Sequence, residues 1–283
     1  MYKPIVIENN EISVQVVPEV GGRIQSLHSK KSCYDWVWKE KETDKINIIQ
    51  PYSEYDSQWS GSWEELYPND AIEYFNSNEA PDHGELWNSV WEVREKSEKK
   101  LLLSTSGYFS QTTVEKTYEL KENQLEVKYR LTNIPYSNFL FKLHLAMPIS
   151  NTSIDFSYEK CRKVDTNFGN IVRNPKDNLE VELFLNNIKA GEGTNDFLYF
   201  DGVGSDIKIT EHSSSSNLTL SYDKETMPHF WIFQTRGGWM GKNVVVLEPC
   251  TNGIKNLSKA IENNLAISSE DGTFTTWYRV NVE

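Results

Sequence analysis

Three short segments, far apart in the chain, carry side chains suited to proton transfer. They are Pro81-Asp82-His83-Gly84-Glu85-Leu86-Trp87, Lys142-Leu143-His144-Leu145-Ala146 and Leu247-Glu248-Pro249-Cys250-Thr251. Each sets a titratable group in an apolar or turn-like context. Two imidazoles and one carboxylate are enough for paired acid and base work near neutral pH. The chain has only five histidines, so two in such settings narrow the search for a site.

Each residue also has a plainer reading. His83 sits in a Pro-Asp-His-Gly turn, where Gly84 permits a positive φ and close approach to a ligand; by itself this reads as a turn histidine. His144 alternates with Lys142, Leu140 and Ala146 on one strand face, while Phe141, Leu143, Leu145 and Met147 form the other, an apolar core face. The polar pair lines a cavity or a wet strand face, or His144 is a hydrogen-bonded core histidine. Glu248 ends the apolar run Val244–Leu247, where partial desolvation would raise its pKa toward that of a useful base. The plainer alternative is a solvated carboxylate at a sheet edge.

The elements that must hold these groups are strands. Ile12, Val14 and Val16 alternate with more polar neighbours, and Leu125, Val127, Tyr129 and Leu131 alternate with Glu126, Lys128 and Arg130. Further β-rich runs cover Leu101–Ser104, Thr112–Leu120, Phe139–Met147, Ile207–Thr210, Leu218–Tyr222, Phe230–Phe233, Val244–Leu247 and Phe274–Val280. Turn signals separate them, and only Leu257–Asn263 reads as a short helix. This pattern predicts an all-β chain, an antiparallel sandwich or barrel. No repeat of fixed period and no Pro/Gly-rich linker interrupts it, so one domain over 1–283 is expected. The stretch Gln50–Trp91 differs: it is rich in Trp, Tyr, Asp, Glu and Asn, with weak periodicity. It reads as a long loop on the β scaffold, more consistent with function than with a plain cover.

Composition excludes some classes of partner. A formal charge of −12 argues against nucleic acid, which needs a basic surface, and against anionic membranes. Cys33, Cys161 and Cys250 are odd in number and widely spaced, so neither a zinc site nor a disulfide framework is expected, and a reducing cytoplasm fits. The N-terminus lacks the apolar stretch of a signal peptide, and no run approaches the ~20 residues of a membrane helix. Nine Trp, fourteen Tyr and twelve Phe make aromatics prominent; many will be core, and a surplus of Trp also suits a site that stacks on a flat ligand such as a sugar ring.

In order along the chain, Gly21-Gly22-Arg23-Ile24, Gly61-Ser62-Trp63 through Tyr67-Pro68-Asn69, the Pro81–Trp87 segment, His144, Leu247-Glu248-Pro249 and Trp277 resemble the aldose 1-epimerase family of galactose mutarotase-like proteins. That resemblance implies a large antiparallel β-sandwich with an open sugar cleft and chemistry without metal or organic cofactor. It implies Glu248 as the base on the C1 hydroxyl, His144 as the acid on the ring oxygen, and His83 holding the ring oxygen or a nearby hydroxyl. Trp63, Trp87 and Trp231 would stack on the sugar, with Asn69, Asp82 and Lys142 as further substrate-binding residues. Family members carry an Arg upstream of the first histidine, whereas residues 50–82 hold no Arg or Lys. The family's mid-chain Asp has Asp196, Asp201 and Asp206 as candidate counterparts.

The expected partner is therefore a small free sugar, and the expected reaction is interconversion of its anomers. A hexose-phosphate 1-epimerase would need a cationic cluster, for which Arg23, Arg94 and Arg236 would have to converge. A non-catalytic carbohydrate-binding or regulatory protein would need only the aromatics and polar loops. A glycoside hydrolase would need a second carboxylate beside Glu248, with Glu64, Glu65 and Glu85 as candidates.

Overall fold

The computed structural model describes residues 4–40, 49–165 and 171–283. Among these residues the strands form two large sheets in which every strand pair is antiparallel. The larger sheet runs Ile5–Glu8, Ile12–Val17, Arg23–Ser29, Trp63–Leu66, Lys142–Pro148, Asn243–Cys250, His229–Arg236, Thr194–Asp201, Lys160–Val164 and Ile171–Arg173, with Tyr34–Asp35 paired onto Arg23–Ser29. The second runs Thr152–Asp155, Ile207–Glu211, Ser216–Tyr222, Phe274–Val282, Gln124–Thr132, Thr113–Lys121, Lys100–Ser106 and Glu92–Lys96. The expected antiparallel β-sandwich is what the chain forms.

Alternation decides which side chains fill the space between the sheets. From the larger sheet come Val14, Val16, Phe141, Leu143, Leu145, Met147, Ile232 and Leu247; from the second come Val114, Tyr118, Leu125, Val127, Leu131, Leu218 and Val280. An ion pair crosses this core. Glu65 accepts from Lys116 Nζ at 2.6 Å and from the Tyr129 hydroxyl at 3.2 Å, with both charged groups fully buried. Trp63 belongs to the same face: it is buried in the core and donates Nε1–H to the Ala146 carbonyl at 2.9 Å.

The larger sheet also buries its other face. Leu140, Ala146, Val244, Val246, Tyr199 and Trp231 form a second apolar cluster with Tyr55, Trp59 and Trp87. Those last three come from the aromatic stretch the sequence reads as a loop, which therefore packs across the sheet. That stretch also contains the strand Trp63–Leu66, inserted between Arg23–Ser29 and Lys142–Pro148. All four of its residues are buried, so both of its faces are covered and no wet-face alternation marks it in the sequence. The helix expected at Leu257–Asn263 spans Leu257–Glu262. A second helix, Asn178–Leu185, was not expected; Asp177 caps it by accepting from the Glu180 amide, and Val181, Phe184 and Leu185 face inward. No helix among the described residues is long and apolar enough to cross a membrane.

The turn that carries His83 is a tight backbone fit. His83 and Gly84 have φ of 57° and 74°, and a Cβ on Gly84 would stand 2.2 Å from the Tyr67 carbonyl oxygen. Both the left-handed conformation and the contact require glycine. Gly84→Ala should therefore lower unfolding free energy by at least about 2 kcal/mol, read as a lower urea midpoint at unchanged m value. An unchanged midpoint would refute the fit described here.

Candidate functional site

Strand register assembles the chemistry into one row across the larger sheet. Glu64 lies opposite His144. The register that pairs Lys142 with Cys250 and Leu145 with Leu247 sets Glu248 against His144 on the other side. Trp231 then pairs with Glu248, Tyr199 with Trp231, and Arg162 with Tyr199. Because side chains across a row share a face, Glu64, His144 and Glu248 all emerge on the side away from the sandwich core. The adjoining row holds Ala146, Val246, Phe233 and Phe197. Ala146 and Val246 are small, and a cleft opens above them.

Tyr55, Asp56, Trp59, Asp70, His83, Lys142, His144, Phe197, Phe233, Trp239, Val246, Glu248 and Lys255 line that cleft. A one-turn helix, Tyr55–Gln58, brings Tyr55 and then Trp59 onto its rim. Tyr55 stacks on His83 with ring centroids 4.1 Å apart and meets His144 edge-on at 5.8 Å. Trp59 meets His144 edge-on at 5.4 Å. Lys242 fixes the outer aromatic wall: its ammonium lies 5.5 to 5.7 Å from the rings of Trp38, Trp59 and Trp239, donates to the Trp59 carbonyl and pairs with Glu40.

Lys142 sits at the electrostatic centre. Its Nζ donates to Asp70 Oδ2 and to Glu248 Oε2, each at 2.6 Å, and lies 4.8 Å over the Trp231 ring. Burial alone would pull this ammonium's pKa down, but the two carboxylates outweigh it and hold it above the usual lysine range. Burial would likewise lift Asp70, yet Lys142, Lys255 and His83 hold it well below the usual carboxylate range. Glu248 goes the other way: burial pushes it up to about 7, against the pull of Lys142. His144 is held well below the usual imidazole value, first by burial and then by Lys142 and His83. Its Nε2 stands 3.9 Å from Glu248 Oε1, too far for a hydrogen bond and close enough for both to contact one ligand. Among the described residues, no group of three or more His, Cys, Asp or Glu side chains is arranged to hold a metal ion.

The residues singled out in the sequence fall into two sets. Glu248, His144, His83 and Lys142 converge on the cleft. Trp63 does not, because it faces the sandwich core. Trp231 is fully buried under Lys142 and stacked on Tyr199 at 4.0 Å, so its face is already occupied. Trp87 is buried behind Tyr55, donating to the Asp82 and Gly84 carbonyls. Asn69 is buried and ties Ala71 to Pro81, and Asp82 stands behind the site, bonding His83 Nδ1 at 2.8 Å and the Tyr55 amide at 2.9 Å. Trp231, Trp87, Asn69 and Asp82 shape the cleft without lining it.

The aspartate and arginine alternatives dissolve in the same way. Asp196 pairs with Lys163 and Asp201 with Arg162 and His229, neither lining the cleft, and Asp206 is absent from its wall. Arg94 pairs with Glu92 on the second sheet, Arg236 with Glu192, and Arg23 is buried beside Glu64, so no arginine cluster forms. Glu65 is spent on Lys116 in the core, and Glu85 accepts from the Phe109 and Ser110 amides. Sequence reasoning passed over Asp70, Tyr55, Trp59, Trp239 and Lys255. Tyr55 and Trp59 lie inside the aromatic stretch flagged as functional, and Asp70 follows directly on Tyr67-Pro68-Asn69. Trp239 and Lys255 lie in turns and carry no signal in the sequence.

No protein-family model matches the chain. No curated protein matches it either. Solved structures do. A galactose mutarotase-like protein from Clostridium acetobutylicum superposes with a TM-score of 0.74 at 14% identity, over 100% of this chain and 95% of that one. A galactose mutarotase related enzyme from Lactobacillus acidophilus gives 0.71 at 15% identity, over 99% and 97%. A galactose mutarotase-like protein from Lactobacillus casei gives 0.71 at 14%, over 99% and 100%. The chain has the galactose mutarotase-like fold. At these identities the likeness is one of fold, and the chemistry must be argued from the cleft.

Removing the central cation tests the electrostatic account. Lys142→Met leaves Glu248 without its cation and Asp70 with only Lys255 and His83, and should cost about 3–5 kcal/mol at pH 8. Without Lys142, Glu248 would titrate still further above its unfolded-state value, so its penalty grows with rising pH and shrinks as pH falls and it protonates. Urea unfolding of both proteins from pH 5 to 8 checks this; a gap that does not depend on pH would refute it.

Proposed function

We propose that this cleft catalyses interconversion of the anomers of a free aldose, an aldose 1-epimerase reaction. The observation that carries the reading is the opposition of Glu248 and His144 on adjacent strands, both facing the cleft, with Glu248 lifted to about 7. In the ring-opening direction the Glu248 carboxylate takes the proton of the C1 hydroxyl. The C1–O1 bond becomes a carbonyl as the C1–O5 bond breaks, and O5 takes the proton from His144 Nε2. Glu248 is then a neutral acid and His144 a neutral base. After rotation about C1–C2, O5 attacks the other carbonyl face, His144 recovers its proton, and Glu248 returns its own to O1. The pair holds one shared proton throughout. Burial of both groups favours the form with that proton on Glu248, against the pull of Lys142 on the carboxylate, and this form is the arrangement that accepts and closes the open-chain aldehyde.

His83, braced by Asp82, is placed by this reading to hold a sugar hydroxyl or the ring oxygen, and Trp59 and Trp239 to meet the sugar's C–H face. Lys142 and Lys255 stand in for the cation that residues 50–82 lack. A hydrolase is disfavoured because Asp70, the carboxylate sharing Lys142 with Glu248, has both oxygens engaged: Oδ2 by Lys142, Oδ1 by His83 and Lys255. A phosphorylated sugar is disfavoured because Lys142 and Lys255, the lysines lining the cleft, are already paired with carboxylates. Three unpaired thiols support a reducing, cytoplasmic setting.

Proton NMR of anomer exchange across a panel of neutral aldoses tests the proposal. Wild type should accelerate exchange of at least one sugar, and Glu248→Gln or His144→Ala should each lower kcat by roughly 10²–10⁴-fold. The rate should fall as pH rises through about 7, because Glu248 then gives up the shared proton and His144 does not take it. Sugar binding without acceleration on any aldose would make the protein a carbohydrate-binding module instead.

A further inference from the structure

Two polar groups beside His144, Tyr55 on the cleft wall and Glu64 on the neighbouring strand, are not used by the reaction above. Tyr55 is buried, and its hydroxyl stands 2.5 Å from Glu64 Oε1 and 3.3 Å from His144 Nδ1. Glu64 is fully buried, and burial pushes it up to about 7 against the pull of the buried Arg23 and the Tyr55 hydroxyl, so at pH 8 it is a carboxylate. A phenol has one hydrogen and two lone pairs. If that hydrogen goes to the Glu64 carboxylate, as the short distance favours, the contact with His144 requires Nδ1–H to donate to the Tyr55 oxygen. Nε2 then carries the lone pair, and Nε2 is the atom that points toward Glu248.

We propose that Tyr55, backed by Glu64, is the positioning residue that fixes the tautomer of His144, holding hydrogen on Nδ1 and presenting Nε2 to the cleft as the atom that gains and loses the proton. The competing pull on Nε2–H comes from Glu248 Oε1, at 3.9 Å beyond hydrogen-bond reach, whereas Tyr55 is within it. When Nε2 is protonated, the imidazolium's Nδ1–H points through the Tyr55 hydroxyl to the Glu64 carboxylate, so a buried anion faces the new charge through one intervening group. This is the arrangement by which a carboxylate orients a catalytic imidazole, extended by one hydroxyl. Tyr55 has a second task that separates cleanly from this one. Its ring stacks on His83, and that contact does not involve the hydroxyl.

The catalytic consequence rests on the epimerase reading, but the tautomer does not, so the two can fail separately. The experiment is nitrogen-15 NMR of the His144 ring in the ligand-free protein at pH 8, in wild type, Tyr55→Phe and Glu64→Gln, beside anomer-exchange rates for the same three proteins. Wild type should show Nδ1 protonated and Nε2 bare. Tyr55→Phe, which keeps the ring on His83, should move hydrogen to Nε2 and lower kcat by roughly 10- to 100-fold with little change in KM. Glu64→Gln keeps the shape, removes the anion and should lower kcat by about tenfold. Wild type with hydrogen on Nε2, or Tyr55→Phe with hydrogen still on Nδ1, overturns the proposal. A tautomer that responds as expected in a protein that accelerates no sugar leaves the positioning intact and removes the epimerase reading. Fast exchange with an unresponsive tautomer does the reverse.

Discussion

An ammonium group shut away from water must be matched by nearby charge, and Lys142 is matched twice, by Asp70 from the covering segment and by Glu248 from the neighbouring strand. Each partner needs the lysine as much as it needs them, since a buried carboxylate left unpaired costs several kcal/mol. The triad therefore joins three parts of the chain that sequence separates. It also sets the other titrations in the cleft: Lys142 holds Asp70 ionised, restrains the rise of Glu248 caused by burial, and helps to keep His144 neutral. One side chain thus fixes both the geometry and the protonation of the groups that face a ligand.

The cleft exists because the larger sheet is covered on both faces by different means. One face packs on the second sheet. The other is covered by the aromatic stretch, whose Tyr55, Trp59 and Trp87 lie over Tyr199, Trp231 and Val246. Ala146 and Val246 are too small to fill the gap beneath that cover. Lys242, enclosed by Trp38, Trp59 and Trp239, ties the outer wall to the turn following His229–Arg236. Packing and polar bonds cooperate here: the aromatics exclude water, which makes the charges inside stronger, and the charges hold the covering segment down.

Much of this was legible in the sequence where a period was present. The face shared by Lys142, His144 and Ala146 follows from alternation alone, and so does the core face of Phe141, Leu143, Leu145 and Met147. Glu248 at the end of an apolar run read either as a desolvated carboxylate or as a solvated one at a sheet edge, and its burial decides for the first. Legibility ended where a residue's role depends on what packs against it. Trp63 and Trp231 are both tryptophans on strands beside the site, yet one faces the core and the other lies beneath a lysine; composition cannot separate an aromatic that stacks on a sugar from one that stacks on Tyr199. Asp70 gave no sign because its importance comes from Lys142, 72 residues away. The strand Trp63–Leu66, buried on both faces, has no period to read.

The choice between catalysis and mere binding can be argued from cost. A module that only holds a sugar is served by aromatic faces and neutral hydrogen-bonding groups, which bury cheaply. Desolvating Glu248 until it titrates near 7, and His144 until it stays neutral, spends stability for no gain in holding a neutral hydroxyl. Paired groups in which one holds the proton that the other can accept are useful when a proton must move and return. The buried Glu64 and Arg23 behind His144 add to that expense on the side remote from any ligand. An arrangement so costly around a single imidazole is hard to account for unless the protonation state of that imidazole is what the fold maintains.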